Sequence, residues 1–153
     1  VFQLGAVFER GQRYREAEEA FRRALDLDPN DAATLNYLGY MLAERGERLD
    51  ESVHLIRRAL ELDPNNGSYL DSLGWAYLKQ DRLELAELTL RQASDQLKRN
   101  SIVQDHFGDL LFRLERFAEA ISAWERALAG DGEGIDLSVI EGKIRGAQQN
   151  LTR

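Results

Sequence analysis

The chain has 153 residues, with 20 basic and 27 acidic side chains and a formal net charge of −7 at pH 7. Nucleic-acid-binding surfaces normally need a basic field, so this balance argues against one. Cysteine is absent, which excludes disulfide frameworks, thiol catalysis and cysteine-based zinc sites. No apolar run approaches the roughly 20 residues of a membrane span, and no targeting segment indicates a location.

The sequence begins at Val1, without a methionine and inside an apolar pattern. We therefore expect it to be a piece of a longer protein. Apolar residues at helical spacing predict a helix over residues 1–10 and another over 13–27. Gly11 lies between them and predicts a turn, because glycine suits a left-handed helix end.

Further helices are predicted along the rest of the chain. Two of the predicted helix ends coincide with Pro29 and Pro64, and the Asn and Asp residues beside these prolines can cap the next helix. Gly46 marks a turn, and Asp81 and Glu115 stand at the same place in later repeats as weaker stops. These helices are predicted over residues 31–45, 49–62, 67–80, 83–97, 101–113 and 117–129.

A repeat of 34 or 35 residues organises these helices. Each repeat has a Leu-Gly or Phe-Gly pair, then a small, a large and a second small residue at nearly fixed distances. One residue is inserted between Gly39 and Ser52, which we place near the turn. Such a repeat predicts stacked helical hairpins, in which the glycine allows two helices to pack closely. The sets are Gly5, Gly39, Gly74 and Gly108; Ala17, Ser52, Ala86 and Ala120; Phe21, Ile56, Leu90 and Trp124; and Ala24, Ala59, Ala93 and Ala127.

This pattern resembles the tetratricopeptide repeat family over residues 1–130. The Leu-Gly pairs carry the match, with Phe8, Leu42, Tyr77 or Leu111 three places after the glycine and the alanines and prolines beyond. The resemblance implies an all-α fold, a right-handed superhelical solenoid of stacked antiparallel helix pairs. It implies four tandem hairpins, the first truncated, whose first helices line a concave groove that binds another protein.

Residues 131–153 follow the repeats as a connector and a C-terminal capping helix, predicted from about Asp136 to Asn150. Apolar residues such as Ile140 and Ile144 recur there at helical spacing. The segment GDGEGID faintly suggests a calcium loop, but Ile135 stands where a ligand oxygen is needed. We therefore interpret it as a flexible connector.

The groove implied by the resemblance would be lined by the face of each first helix opposite the Leu-Gly pair. We expect this surface to mix aromatic rings with carboxylates and to contain no lysine or arginine. We expect it to bind an extended or helical segment with Arg or Lys and apolar side chains, partly through cation–π contacts. Some relatives hold a partner's C-terminal carboxylate through basic residues at these places, and this chain lacks that clamp. The predicted groove residues are Asn36, Tyr40, Asp71, Trp75, Leu78, Asp105, Asp109 and Phe112.

The predicted groove residues can also be explained by a purely structural role, without partner binding. Trp75 and Tyr40 can pack against neighbouring repeats, and the carboxylates can be solvated groups favoured near helix N-termini. Trp124 belongs to the large core set. His54 and His106 lie on different repeats without metal-ligand spacing, so we expect no metal, cofactor or catalytic role for them.

Two functions remain open at this point. The first is a non-enzymatic protein–protein interaction scaffold that presents an acidic and aromatic groove to a peptide segment of a partner. The alternative is a structural assembly module, in which Val1, Phe2, Leu4 and Val7 of the truncated first repeat stack on a missing repeat or on another copy. An enzyme would need Asp105 and Asp109 to act as paired acids, for which the sequence predicts no apolar cleft.

Overall fold

A computed structural model describes the backbone of residues 7–152 and the side chains of residues 13–152. Within these residues every regular element is an α-helix, and none is long and apolar enough to cross a bilayer. The chain divides into two compact units, residues 1–64 and residues 65–153. The helices are α1 Val7–Leu27, α2 Ala32–Arg45, α3 Leu49–Leu62, α4 Gly67–Lys79, α5 Leu83–Gln96, α6 Ser101–Arg113, α7 Phe117–Ala129 and α8 Leu137–Leu151.

The first helix differs from the prediction. Helix α1 is continuous from Val7 to Leu27 and passes through Gly11, where the sequence predicts a turn. A glycine inside a helix costs only about 1 kcal/mol relative to alanine, and no proline near Gly11 forces the helix to end. The predicted turn at Gly11 is therefore wrong. Residues 1–6 lie outside the described part of the chain.

The remaining helices begin and end within two residues of the predicted positions. Asp31, Asn66 and Asn100 each precede a helix, and each side chain accepts a hydrogen bond from the backbone N–H three residues later, at 3.1–3.2 Å. This bond satisfies one of the N–H groups that a helix start leaves without a partner. The capping role predicted for Asn and Asp beside the prolines is confirmed.

The three hairpins α2–α3, α4–α5 and α6–α7 share one turn geometry. Gly46, Asp81 and Glu115 have φ values of 69°, 62° and 60°. Each donates its N–H to the carbonyl three residues before it, and the next residue donates to the carbonyl five before it. This is the Schellman helix end. The α2–α3 turn holds one further left-handed residue, Arg48 at φ 45°, so the inserted residue lies in the turn, as predicted.

The repeat glycines lie directly under the large residues of the second helices. A Cβ added to Gly74 would lie 2.7 Å from Leu90 Cδ2, and one added to Gly39 would lie 2.5 Å from Ile56 Cγ1. Both distances are far inside normal carbon–carbon contact, so only glycine fits without rearrangement. The predicted close packing is confirmed. The pairs are Gly39 with Ile56, Gly74 with Leu90 and Gly108 with Trp124.

Polar side chains that depart from the repeat pattern form local hydrogen bonds. Ser52, which replaces an alanine, is fully buried and donates its hydroxyl to the carbonyl of Gly39 at 2.5 Å. Gln104 is fully buried where the helix-ending proline is missing. Its amide donates to the carbonyls of Ser94 and Leu97 at 3.2 Å and accepts from the Ser94 hydroxyl and from Arg126.

In unit 2, consecutive helices pack in sequence from α4 to α8, and α4 also contacts α6. The first helices of two successive repeats therefore lie side by side, and α8 packs on α7. The connector before α8 is bonded to the start of α6, because Asp131 accepts hydrogen bonds from the backbone N–H groups of Ser101 and Glu133. The segment interpreted as a flexible connector is thus tied to α6.

Candidate functional site

The predicted groove residues are divided between the two units. Asn36 and Tyr40 lie on α2 in unit 1, where Asn36 is buried and Tyr40 is half-buried. Tyr40 lines a cleft of about 600 Å³ together with Tyr14, Phe21, Tyr37, Met41 and Glu44. The other six predicted residues lie on α4 and α6 in unit 2.

A cleft of about 470 Å³ in unit 2 collects four of those six, Trp75, Leu78, Asp109 and Phe112. Aromatic and aliphatic groups form most of its surface. The other residues that line it are Lys79, Asp81, Arg113, Trp124 and Lys143. The expectation that this surface has no lysine or arginine is therefore wrong. The expectation covered only the positions of the first helices that lie nearest the glycines. The cleft is also lined by residues at helix ends and by a residue of α8.

A buried acid–base pair lies beside Trp75. The Nδ1 atom of His106 is 2.9 and 3.1 Å from the two carboxylate oxygens of Asp71, and both side chains are less than a tenth exposed. The imidazole stacks on the Trp75 indole, with 4.0 Å between ring centroids and 17° between planes. Asp71 therefore lies under the surface as the partner of His106, and the pair supports the Trp75 ring.

The His106 imidazole has a pKa above its ordinary value. Burial alone lowers this pKa, but the carboxylates of Asp71, Asp105 and Asp109 together raise it more. The folded protein therefore favours the charged imidazolium more than water does, and in that form Nδ1–H donates to Asp71.

A lysine from α8 joins the two carboxylates of α6. Lys143 Nζ donates to Asp105 Oδ1 and to Asp109 Oδ1, each at 2.9 Å. Burial and the neighbouring Asp105 charge raise the pKa of Asp109, although Lys143 opposes them. Burial lowers the pKa of Lys143, but the two carboxylates raise it overall. Two half-buried carboxylates thus bind one ammonium group.

Two further cations border the cleft. Lys79 Nζ lies 4.9 Å from the centroid of the Trp75 ring, within cation–π range. Arg113 forms an ion pair with Asp81 across successive repeats. The cleft therefore combines aromatic rings with side-chain charges that are paired with one another.

His106 and Lys143 are the two site residues that sequence reasoning missed. Asp71 and His106 are 35 residues apart, close to one repeat length, and this spacing was the available signal that they lie on neighbouring first helices. Lys143 stands three places after Ile140, which is buried, so one lysine borders the apolar face of α8. Among the residues described, no group of three or more His, Asp or Glu side chains is arranged to hold a metal ion.

Solved structures with the same fold are numerous. The structure of MamA AMB-1 has 24% identity and a TM-score of 0.73, covering 94% of this chain and 83% of its own. The Sgt2 TPR domain from Aspergillus fumigatus has 19% identity and a TM-score of 0.71, covering 80% of each chain. The first TPR of Spaghetti (RPAP3), bound to the HSP90 peptide SRMEEVD, has 21% identity and a TM-score of 0.70, covering 82% of this chain and 97% of its own.

A search of the curated proteins returned no significant match. The family model described as "Tetratricopeptide repeat" matches residues 2–67 and 45–100, which together span more than half of the chain. Its match agrees with the glycine spacing and with the helical hairpins seen in each unit. Members of this family with this fold are typically interaction modules rather than enzymes. The chain therefore belongs to the tetratricopeptide repeat family, and its family and fold indicate a protein–protein interaction scaffold.

Proposed function

We propose that unit 2 binds a peptide segment of a partner protein in the cleft lined by Trp75 and Phe112. The segment would place an apolar side chain against the two rings and an Arg or Lys side chain near the α6 carboxylates. One observation carries this proposal: Asp105 and Asp109 already hold an ammonium group, that of Lys143, at the edge of an aromatic cleft.

The aromatic rings support the apolar part of the proposal. Phe112 is 36% exposed and Trp75 is half-buried, so both keep surface that a partner can cover. Covering such a ring contributes about 1–3 kcal/mol. Phe112 also packs edge-to-face on Phe117 at 5.2 Å between centroids, so little side-chain freedom remains to be lost on binding.

Electrostatics support the proposal that the bound segment carries an Arg or Lys side chain. Lys79 over Trp75 is an example of a cation held on that ring, and the chain as a whole carries a net charge of −7. A partner's Arg or Lys would be attracted to this unit over several ångströms and would compete with Lys143 for Asp105 and Asp109. Asp105, Asp109 and the Trp75 ring are therefore the groups that would receive a basic side chain of the segment.

A ligand ending in carboxylates is disfavoured by the same residues. The RPAP3 repeat domain was solved with the peptide SRMEEVD, which is acidic at its end. In unit 2 the surface positions implied to clamp such an end hold Asp105 and Asp109, which offer negative charge rather than cations. We therefore propose a basic and apolar segment instead.

Selection from a random peptide display library on the immobilised chain tests this function. We expect enrichment of peptides that combine Arg or Lys with large apolar residues. Trp75→Ala and Phe112→Ala should each weaken binding of a selected peptide by at least about tenfold, equivalent to about 1.4 kcal/mol. Leu88→Ala is the matched control, because Leu88 is 62% exposed on α5 and does not line the cleft.

Three results would contradict the proposal. One is enrichment of acidic peptides. Another is equal binding of a selected peptide by the native chain and by both cleft variants, with helical content by circular dichroism unchanged. A loss of binding by Leu88→Ala that matches the loss by Trp75→Ala would also place the site elsewhere.

A further inference from the structure

Helix α8 has the register of the first helix of a further repeat. Gly142 lies 34 residues after Gly108, which is the spacing of the earlier repeat glycines. Helix α8 packs on α7, as α6 packs on α5. In this register Lys143 stands directly after the glycine, the place of Trp75 and Asp109 in the two preceding repeats. Lys143 is therefore a groove residue by its position in the repeat.

The Lys143 ammonium group occupies the two carboxylates that border the cleft of unit 2. Its Nζ atom donates to Asp105 Oδ1 and to Asp109 Oδ1, each at 2.9 Å. The three side chains are 16–29% exposed, so the contact is partly shielded from water and can still be reached from it. A cation of a partner would need the same two oxygens.

The position of α8 does not depend on this contact alone. Ile140 and Ala147 of α8 are buried, and the helix packs on α7. A lysine side chain is long and flexible, so it can leave the carboxylates by rotation about its own bonds while this apolar packing remains. Exchange of the cation at Asp105 and Asp109 therefore needs no unfolding of α8.

An occupant on the same chain lowers the affinity for a cation from outside. Lys143 is always present beside the two carboxylates, at an effective concentration on the order of millimolar. A basic segment forms ion pairs with Asp105 and Asp109 only by breaking those of Lys143. A neutral apolar segment can bind against Trp75 and Phe112 without this exchange. The ammonium group therefore narrows the difference in affinity between basic and neutral segments.

We propose that Lys143 is an autoinhibitory group that limits how strongly the cleft of unit 2 prefers basic over neutral segments. The proposal rests on the proposed function, since it concerns a segment bound beside Trp75. When a partner's Arg or Lys binds between Asp105 and Asp109, the Lys143 ammonium group moves into solvent. Loss of the lysine charge should therefore strengthen binding of a basic segment, whereas loss of a purely structural contact would weaken it.

Isothermal titration calorimetry with two peptides tests this proposal. One is a selected basic peptide, and the other is its neutral analogue, in which methionine replaces the basic residue. We expect the ratio of their affinities to be at least about fivefold larger for Lys143→Met than for the native chain. Lys98→Met is the matched control, because Lys98 is exposed, does not line the cleft and carries the same charge. That variant should keep the native ratio.

A conservative variant and salt give two further readouts. Lys143→Arg keeps the charge and offers five donors to the same carboxylates, so it should weaken binding of the basic peptide at least about twofold. NaCl at about 1 M should weaken this binding more for Lys143→Met than for the native chain, because only the variant gains ion pairs on binding. Circular dichroism shows whether each variant folds, and Lys143→Arg decides the question if Lys143→Met does not fold.

A small probe makes the test independent of any selected peptide. N-acetyl-arginine amide carries one guanidinium group and can be titrated into the labelled protein in an NMR experiment. It should shift the backbone signals of Asp105 and Asp109 in Lys143→Met at a probe concentration at least about fivefold lower than in the native chain. Equal titration of both proteins would count against an occupied cation site.

Three results with the peptides would overturn the proposal. The first is an affinity ratio that Lys143→Met leaves unchanged or lowers. The second is an equal rise of this ratio in Lys98→Met, which would show a general effect of net charge. The third is binding of the basic peptide by Lys143→Arg that is as tight as binding by the native chain. Failure of the proposed function has a different signature, because the selected peptide would then bind Trp75→Ala as tightly as the native chain, and the probe titration would still decide the role of Lys143.

Discussion

Gly74 shows how one residue determines the spacing of a hairpin. It lies inside α4, where alanine would favour the helix by about 1 kcal/mol, yet Leu90 occupies the space that an alanine methyl group would need. The backbone nitrogen of Leu90 is also only 3.2 Å from that position. A change of the Leu90 rotamer would therefore leave a close contact with the backbone. Glycine at this place is a packing requirement of the α4–α5 hairpin.

Gly74→Ala should therefore destabilise the protein by about 1–3 kcal/mol, as overpacking of a core does. Gly146→Ala is the matched control in α8, because a Cβ there meets no other atom within 4 Å. That variant should gain up to about 1 kcal/mol from helix propensity. Urea unfolding of both proteins measures the two changes. Equal or higher stability of Gly74→Ala would contradict the packing explanation.

His106 should make stability depend on pH. Its pKa in the folded protein is raised above the ordinary value of about 6.5 because Asp71, aided by Asp105 and Asp109, outweighs the opposing effect of burial. A raised folded-state pKa means that the stabilisation is complete below about pH 6.5 and is lost as pH rises through the folded-state value. We expect the free energy of unfolding to fall across that window.

Unfolding by urea at a series of pH values measures this effect. His106→Gln should remove the decline. His54→Gln should retain it, because the only other histidine of the chain is exposed on α3. The same decline in the native protein and in His106→Gln would show that another group is responsible.

Among the elements, the α5–α6 junction depends on a buried amide in place of proline. Gln104 satisfies the carbonyls of Ser94 and Leu97 and accepts a hydrogen bond from Arg126 of α7. Gln104→Leu keeps the volume but leaves these buried groups without partners, so it should cost about 1–3 kcal/mol or more. Gln148→Leu is the control on the exposed face of α8 and should change stability by less than about 0.5 kcal/mol. A near-neutral Gln104→Leu, measured by thermal unfolding, would mean that water replaces the amide.

Helix α8 is held to α6 by charge as well as by apolar packing. Lys143→Met should destabilise unit 2 by about 1–3 kcal/mol, because Asp105 and Asp109 then face each other without their shared cation. Asp109→Asn should be less harmful in the Lys143→Met background than in the native protein. A double-mutant cycle measures this coupling, and additive effects of the two substitutions would show that the lysine contact contributes nothing.

Sequence reasoning succeeds here for contacts within a hairpin. Gly74 and Leu90 are related by a fixed spacing on two helices joined by a short turn, so the repeat predicts their contact. Gly11 shows a limit, since a glycine permits a left-handed turn but does not force one. Asp71 with His106 and Lys143 with Asp109 show another limit. Their contacts depend on which faces of α4, α6 and α8 meet, and the sequence does not show this. A single charged residue in the sequence is therefore interpreted as solvated.

At the scale of the whole molecule, the described part of each unit has a cleft, and the two clefts differ in chemistry. The cleft of unit 1 is lined mainly by aromatic residues, whereas that of unit 2 combines Trp75 and Phe112 with paired charges. The residues that line the two clefts are different. Tyr37→Ala in the cleft of unit 1 should therefore leave the affinity for a selected peptide within about twofold, as isothermal titration calorimetry would measure.

The central claim is that a partner segment binds against Trp75 in unit 2, and the indole N–H signals in an NMR spectrum test it most directly. The chain has two tryptophans, Trp75 and Trp124, so the spectrum holds two such signals, and Trp75→Ala assigns them. Addition of a selected basic and apolar peptide should shift the Trp75 signal strongly, along with backbone signals of Phe112 and Lys143. A peptide that binds with the Trp75 signal unchanged, while signals outside the cleft move, would contradict the account.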